Sequence, residues 1–324
     1  MAESYESRRK FLGIEPHRGA LPLTTFYRGG EVIEVELIEG PANPYRMMCI
    51  HALQTWGGPN DSKARTWERL SPGARMALTK NILTGQALPL ALELPDFYWE
   101  IKNMVRYGYD QVVRTRLGVT YSSEGTRDND VADIGVMVSP RIWDHPNLNV
   151  LSVFQGSVEE SKRSYYDMLT IAGVPWSDAR ALIPQGILHR FAWDVNYMTL
   201  KNFLGKRMML CMDYPIVTMA WKMRKVLEER YAVLALPLRP NCDYARVCTM
   251  RGADRDAELT SNLFSNCGRW PDRKDGSSAP DVAEFQVSST ERAWLEEWVP
   301  GGFFEGGVEH DWEVAFKKDE RFFL

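Results

Sequence analysis

The sequence predicts a mixed α/β (α+β) protein, and three observations carry that prediction. Residues 31–38 (Glu31-Val-Ile-Glu-Val-Glu-Leu-Ile38) are rich in β-branched residues and roughly alternate, the pattern of a half-buried strand, and Phe97–Ile101 reads as a second strand. Longer stretches between and after them repeat apolar residues at helical spacing. The 324 residues are 44% hydrophobic and 25% charged, ordinary for a globular chain able to bury one large core.

Taken in order, residues 1–30 hold Pro16 and Pro22 and no sustained period, and read as an irregular arm. Pro41 and Pro44 close the first strand. Tyr45–Trp56 has a helical period that Gly57-Gly58-Pro59 stops, and Pro72–Leu83 is a helix with Ser71 as its N-cap. After the strand at Phe97–Ile101, Met104–Arg116 reads as a helix through Met104, Val105, Tyr109, Val112 and Val113. Residues 117–131 are rich in Gly, Ser and Thr and read as a loop. Gly156–Ala172, Pro175–Ile183, Asn196–Met212 and Val217–Ala235 read as helices. Past Pro237 the composition shifts, and residues 250–285 show no period. The tail carries Trp294, Trp298, Phe303, Phe304, Trp312, Phe316, Phe322 and Phe323, so residues 286–324 are expected to dock on the core. The division expected is an arm over 1–30, a main domain over 31–245 and a docked extension over 246–324.

A formal net charge of −4 offers no basic face for a nucleic-acid partner, although a local pocket for one phosphate is compatible with it. No apolar run reaches the ~20 residues of a membrane-spanning helix. Met1–Lys10 is charged and lacks a signal peptide's apolar core, and five cysteines without a framework suit a reducing cytoplasm. Cys242, Cys248 and Cys267 would need a fourth ligand to hold zinc, and their spacing matches no standard zinc pattern. Buried free thiols and no metal are the expectation. Gly301-Gly302 and Gly306-Gly307 read as turns, since no strand–helix context surrounds them.

Three polar features stand out. Gln111-Val-Val-Arg114-Thr115-Arg116 is followed by Ser122-Ser123-Glu124-Gly-Thr-Arg127, an arrangement in which arginine forks and backbone N–H groups could close on a phosphate. From spacing alone, arginines that complement a helix C-terminus explain it as well. The second feature is Gly173–Pro184 with Arg180. The third is Phe191–Arg207, where Asn196, Asn202 and Arg207 fall near one helical face. Asn202 borders Phe203 and Leu204, so its amide is expected to find a partner, either the backbone or a ligand.

Residues 173–207 resemble, without a gap, the core signature of the flavin-dependent thymidylate synthases. Gly173-Val-Pro, Ala179-Arg180, Pro184, Phe191-Ala-Trp-Asp-Val-Asn196 and Asn202-Phe-Leu-Gly-Lys-Arg207 all fall in register. Gln111–Arg127 resembles the Arg-His-Arg loop of the same family. The resemblance implies a twisted sheet flanked by long helices, a catalytic domain over 31–245, and a homotetramer with shared active sites. It implies FAD, NADPH and 5,10-methylenetetrahydrofolate as cofactors and a pyrimidine nucleotide as substrate. By residue, it implies that Arg114, Thr115, Arg116, Asn196 and Asn202 meet the flavin. Gln111, Ser122, Ser123, Glu124, Arg127, Arg180 and Arg207 would hold the nucleotide, and Arg207, Arg114 and Arg116 would act in catalysis.

The chain departs from that pattern at identifiable points. Thr115 stands where the family has its central His, no His occurs near Pro89–Leu94, and Met198 replaces an Arg. Ser122-Ser123-Glu124 carries an inserted residue, and Met212-Asp213-Tyr214-Pro215-Ile216 stands for Ala-Gln-Trp-Glu-Ile. These changes touch the nucleotide and flavin pockets. They make the chain similar to the branch of the family that methylates UMP at C5 in polyoxin-type nucleoside-antibiotic pathways. The expected activity is C5-methylation of UMP or dUMP. A hydroxymethylase of dCMP or dUMP and a non-catalytic nucleotide binder are the alternatives. No cysteine sits where a cysteine-dependent thymidylate synthase would need its nucleophile, and a flavin route requires none. The cofactors would carry the hard chemistry, with the protein orienting the rings and neutralising the phosphate.

Overall fold

The computed structural model describes residues 23–56, 58, 61–86, 88–126, 129, 131–209, 212–245 and 312–323. Most of the expected arm, the extension over 246–311 with its Trp294, Trp298, Phe303, Phe304, Cys248, Cys267 and paired glycines, and Cys211 and Arg127 lie outside these residues. In chain order the elements are β1 (Phe26–Arg28), a 3-10 turn (Gly29–Val32), β2 (Glu34–Glu39), α1 (Pro44–Trp56), α2 (Lys63–Arg69), α3 (Pro72–Leu83), a 3-10 turn (Pro89–Glu93) and β3 (Asp96–Val105). Then come α4 (Arg106–Val112), β4 (Val119–Ser123), β5 (Val136–Val138), α5 (Pro140–Trp143), α6 (Leu148–Thr170), α7 (Trp176–Ala179), a 3-10 turn (Arg180–Leu182) and β6 (Leu188–Asn196). The chain continues through α8 (Tyr197–Arg207), α9 (Tyr214–Arg230), α10 (Ala232–Ala235), α11 (Asn241–Ala245), α12 (Trp312–Lys318) and a last 3-10 turn (Glu320–Phe322). The protein is therefore mixed α/β. One sheet pairs β1 with β5 in parallel, Phe26 opposite Val136; the other has the order β2-β3-β6-β4. No helix among the described residues is long and apolar enough to cross a membrane.

Several boundaries differ from the sequence reading, each for a local reason. Phe26–Arg28, expected in the irregular arm, is a strand. The helix expected over 104–116 is confined to α4, because Met104 and Val105 finish β3 and a turn follows Val112. The loop expected over 117–131 contains β4, whose short Val-Thr-Tyr-Ser-Ser run is camouflaged by small polar neighbours. Helix α6 starts well before Gly156, because the Asn147 side chain caps it by accepting from the Asn149 N–H. The helix expected over 217–235 starts earlier, with Pro215 in its first turn, and breaks at Tyr231 (φ −144°, ψ 63°). Ser71 caps α3 as expected, accepting from the Ala74 N–H.

The described residues form two compact units. Unit 1 comprises the described residues within 23–32, 102–110 and 122–191. In it α6 turns Val158, Lys162 and Tyr165 toward Val131, Ala132, Val136, Ala179 and Ile187. Lys162 tolerates burial because its Nζ donates to the Ile134 carbonyl at 2.8 Å. Asn103 adopts φ 60°, a conformation Asn tolerates better than most residues, and its Nδ2 donates to the Val32 carbonyl at 3.0 Å.

Unit 2 comprises the described residues within 33–101, 111–121, 192–245 and 312–323. Alternate residues Phe97, Trp99 and Ile101 of β3, and Trp193 and Val195 of β6, point into its core. Tyr197, Leu200, Phe203 and Leu204 give α8 its buried stripe, with Phe203 edge-on to Trp193 at 4.8 Å. Helix α9 packs on β2 and α10. At the chain's end Phe322 is fully buried, stacked on Tyr45 at 4.1 Å and edge-on to Phe316 at 4.7 Å. Burying such a ring is worth about 1.5–3 kcal/mol. Arg321 fastens the turn by donating to the Ala42 and Arg230 carbonyls at 3.0 and 2.9 Å.

Candidate functional site

The polar centre of unit 2 is built where two helices end. Gln111 lies in the last turn of α4 and Arg207 in the last turn of α8. Arg207 Nη1 donates to Gln111 Oε1 at 2.8 Å, and Gln111 Nε2 donates to the Asp213 carboxylate. The half-buried guanidinium lies 5.9 Å from the Phe203 ring centre and 3.5 Å from Met212 Sδ. Burial, and then the charge of Arg114, push the Arg207 pKa down, while Asp213 pushes it up. So the Arg207 and Arg114 guanidinium groups share one electrostatic neighbourhood with the Asp213 carboxylate.

The turn after α4 holds Arg114, Thr115 and Arg116 in place without using their side chains. The Tyr121 hydroxyl lies 2.9 Å from the Val112 carbonyl and 2.8 Å from that of Thr115. Leu117 is 83% exposed. Its carbonyl accepts from Thr199 Oγ1 at 2.9 Å, and the Asn196 N–H donates to the Gly118 carbonyl at 3.0 Å. Gly118 has φ 63°, and a Cβ there would lie 2.1 Å from Asn196 Nδ2, so both the backbone and the close approach require glycine. Asn196 also caps α8, its Oδ1 accepting from the Thr199 N–H at 2.9 Å. Arg114 and Arg116 are exposed, and neither side chain bonds to a described residue.

Asn202, expected beside a buried stripe and in need of a partner, is exposed instead. Phe203 and Leu204 turn inward, and the rotation of about 100° per residue carries Asn202 out. The shared face expected for Asn196, Asn202 and Arg207 is likewise not formed, since Asn196 precedes the helix as its cap. Sequence reasoning missed Asp213, Tyr121 and Thr199. The one available signal was that Asp213 stands at the head of a Pro-started helix.

Unit 1 carries the rest. Ser122, Ser123 and Glu124 have exposed side chains, but the Glu124 peptide is fixed on both sides. Its N–H donates to the Arg190 carbonyl at 3.0 Å, and its carbonyl lies 3.0 Å from His189 Nε2. Since a carbonyl only accepts, Nε2 carries the proton, and the buried Nδ1 has no partner among the described residues. Arg180 opens the 3-10 turn after α7 and is exposed. Ala181 and Leu182 beside it are exposed too, while Trp176 and Ala179 are the residues that face inward. Among the described residues no group of three or more His, Cys, Asp or Glu is gathered to hold a metal, and Cys49 and Cys242 are buried.

His189 makes the stability of the fold sensitive to pH. Burial lowers its pKa from the usual 6.5, the hydrogen bond to Glu124 opposes this, Arg106 lowers it further and Asp110 raises it. A depressed histidine is neutral in the fold, so its contribution is complete above 6.5 and is lost as pH falls below that value through the folded pKa. Thermal stability should therefore decline on the acid side of 6.5 more steeply in the wild type than in His189→Gln, whose amide can keep donating to Glu124. Equal slopes for the two proteins would remove His189 from the account.

The signature stretches and the α/β fold together define a family. The chain belongs to the thymidylate synthase complementing protein family, whose model matches residues 36–231 and so spans every candidate residue named above. It is similar to the flavin-dependent thymidylate synthase of Saccharolobus solfataricus, at 26% identity over 151 residues, covering 47% of this chain and 56% of that protein. It is also similar to the flavin-dependent thymidylate synthase of Sulfurisphaera tokodaii, at 28% identity over 90 residues, covering 28% and 35%. The matches thus span about half of the first relative's length and about a third of the second's. Among solved structures, the UMP/dUMP methylase PolB from Streptomyces cacaoi, bound with 5-Br dUMP, shares the fold. Its TM-score is 0.53 at 15% identity, covering 66% of this chain and 96% of that one.

Proposed function

We propose that the protein methylates C5 of a uridine nucleotide, UMP or dUMP. The carbon would come from 5,10-methylenetetrahydrofolate and the hydride from reduced FAD, recharged by NADPH. The observation that carries this reading is the Arg207–Gln111 pair with Arg114 in its field, inside the span that the family model matches. Arg207 is a donor-only group, and Gln111 leaves several of its N–H vectors unspent. A half-buried guanidinium facing a pyrimidine carbonyl stabilises the negative charge that gathers on the ring as C5 becomes nucleophilic. Arg180 would neutralise the phosphate, and Ser122, Ser123, Glu124 and Arg127 would complete the nucleotide's surroundings.

The residues present fit a flavin dinucleotide. Arg114 and Arg116 are exposed cations whose side chains bond to no described residue, and they precede the 83% exposed Leu117 on a pinned turn. Together they suit a ligand with a pyrophosphate and a flat apolar ring, with Thr115, Asn196 and Asn202 as further polar neighbours. The flavin when bound supplies the hydride that turns a methylene group into a methyl group. The exposure of Arg114, Arg116, Arg180 and Asn202 in a single chain supports a homotetramer whose sites are completed by other copies.

Purified protein should take up FAD, and NADPH should bleach it anaerobically. Incubation with methylenetetrahydrofolate and UMP, dUMP or dCMP should add one methyl group to a uridine nucleotide, read by mass spectrometry, and light scattering should give a tetramer. Failure to bind FAD at micromolar concentration would sink the flavin reading, a hydroxymethyl product would move the chemistry to the related hydroxylated product, and a monomer would remove the shared site.

A further inference from the structure

We propose that Asp213 is a positioning residue that fixes the amide of Gln111 and thereby aims Arg207 at the nucleotide. The proposal rests on the C5-methylase reading for what Arg207 is aimed at. The chain of contacts runs from the Asp213 carboxylate to Gln111 Nε2, and from Gln111 Oε1 to Arg207 Nη1 at 2.8 Å. An amide side chain has two nearly isosteric orientations, and only its partners choose between them. Arginine can only donate and a carboxylate can only accept. With Asp213 on one side and Arg207 on the other, a single orientation of Gln111 satisfies both.

A second observation shows that the Asp213 side chain is spent on this contact. Asp213 occupies the N-cap of α9, where an aspartate ordinarily accepts from an N–H of the first turn. Its carboxylate makes no such capping bond, and Pro215 in that turn has no N–H to offer. Only the Asp213 carbonyl serves the helix, accepting from the Ile216 N–H at 3.0 Å. The carboxylate instead reaches back to α4 and, besides orienting Gln111, opposes the effects of burial and of Arg114 on the Arg207 charge.

Replacing the carboxylate with an amide removes the constraint. In Asp213→Asn the new side chain can pair with either orientation of Gln111, and in one of them the Gln111 NH2 faces the Arg207 donors. Arg207 then loses its anchor, and the Asp213 charge that favoured its protonated form is gone. Two readouts follow. The rate at which phenylglyoxal labels Arg207 in the ligand-free protein, followed by peptide mass spectrometry, should rise in Asp213→Asn and stay close to wild type in Asp213→Glu. Calorimetry with dUMP should show affinity weakened about 3- to 10-fold in Asp213→Asn, the scale of one ordinary hydrogen bond, with the melting temperature little changed.

The combination of Gln111→Glu with Asp213→Asn inverts the polarity of the pair. A carboxylate at 111 accepts from Arg207, and an amide at 213 donates to it, so Arg207 labelling should return to the wild-type rate. A role confined to helix packing predicts no such rescue. Wild-type labelling in Asp213→Asn, or absence of rescue in the double variant, overturns the proposal. If labelling behaves as expected but the wild type binds neither UMP nor dUMP, Asp213 still positions Arg207 and the nucleotide reading is what fails.

Discussion

Arg207→Ala is expected to lower kcat/KM for C5-methylation by about 10²–10³, the usual scale for losing one preorganised donor to a developing negative charge. The loss should fall mainly on kcat, because the charge to be stabilised appears as C5 attacks and is absent in the bound nucleotide. The guanidinium is half-buried between Gln111 and the Phe203 ring, so solvent screens it only in part. Arg207→Lys separates charge from shape: an ammonium keeps the charge but cannot hold Gln111 and present further donors in one plane. It should recover only part of the lost rate. FAD binding should survive both changes, since Arg207 is assigned to the pyrimidine. A fall in melting temperature that accounts for the lost rate, or an unchanged kcat with raised KM, would make Arg207 a structural or uniform-binding residue instead.

The sequence made the helices with strong caps and long periods easy to place. Ser71-Pro72 fixed the start of α3, and the Tyr45–Trp56 pattern matched α1 almost to the residue. It was poor around the proposed site, and for a physical reason. Residues 104–123 pass from strand to helix to turn to strand, and each piece is too short for its period to declare itself. Buried alternation in β6 was hidden because Phe191, Trp193 and Val195 are interleaved with residues that are only partly exposed. Gln111 and Arg207 are distant in sequence, so only their shared resemblance to a family loop and core signature could bring them together on paper; the fold joins them through one hydrogen bond. Asp213 carried no such signal, because its position departs from the family block and its carboxylate ignores the helix it precedes.

Arg180→Ala should weaken UMP or dUMP binding by roughly 10- to 150-fold, the equivalent of one charge-assisted contact at about 1.5–3 kcal/mol. Arg180 opens an exposed 3-10 turn, directly after the buried Ala179, so the chain fixes where the side chain starts while leaving the guanidinium in solvent. It bonds to no described residue, and it is exposed along with Ala181 and Leu182. An exposed side chain that bonds to no described residue contributes little to folding there, and surface substitutions usually fall within about 0.5 kcal/mol. The melting temperature should therefore hardly move, which makes a binding loss easy to interpret. Arg180→Lys should lie between, since a dianion is better met by a planar fork than by a point charge. Raised ionic strength should shrink the difference between wild type and Arg180→Ala, because an exposed charge is screened within about 10 Å at 0.1 M salt. The comparison that decides the matter is uridine against UMP. Uridine lacks the phosphate, so its affinity should be the same for both proteins while that of UMP falls. If Arg180→Ala weakens the two ligands equally, Arg180 does not read the phosphate, and the nucleotide's polar end lies elsewhere in the molecule.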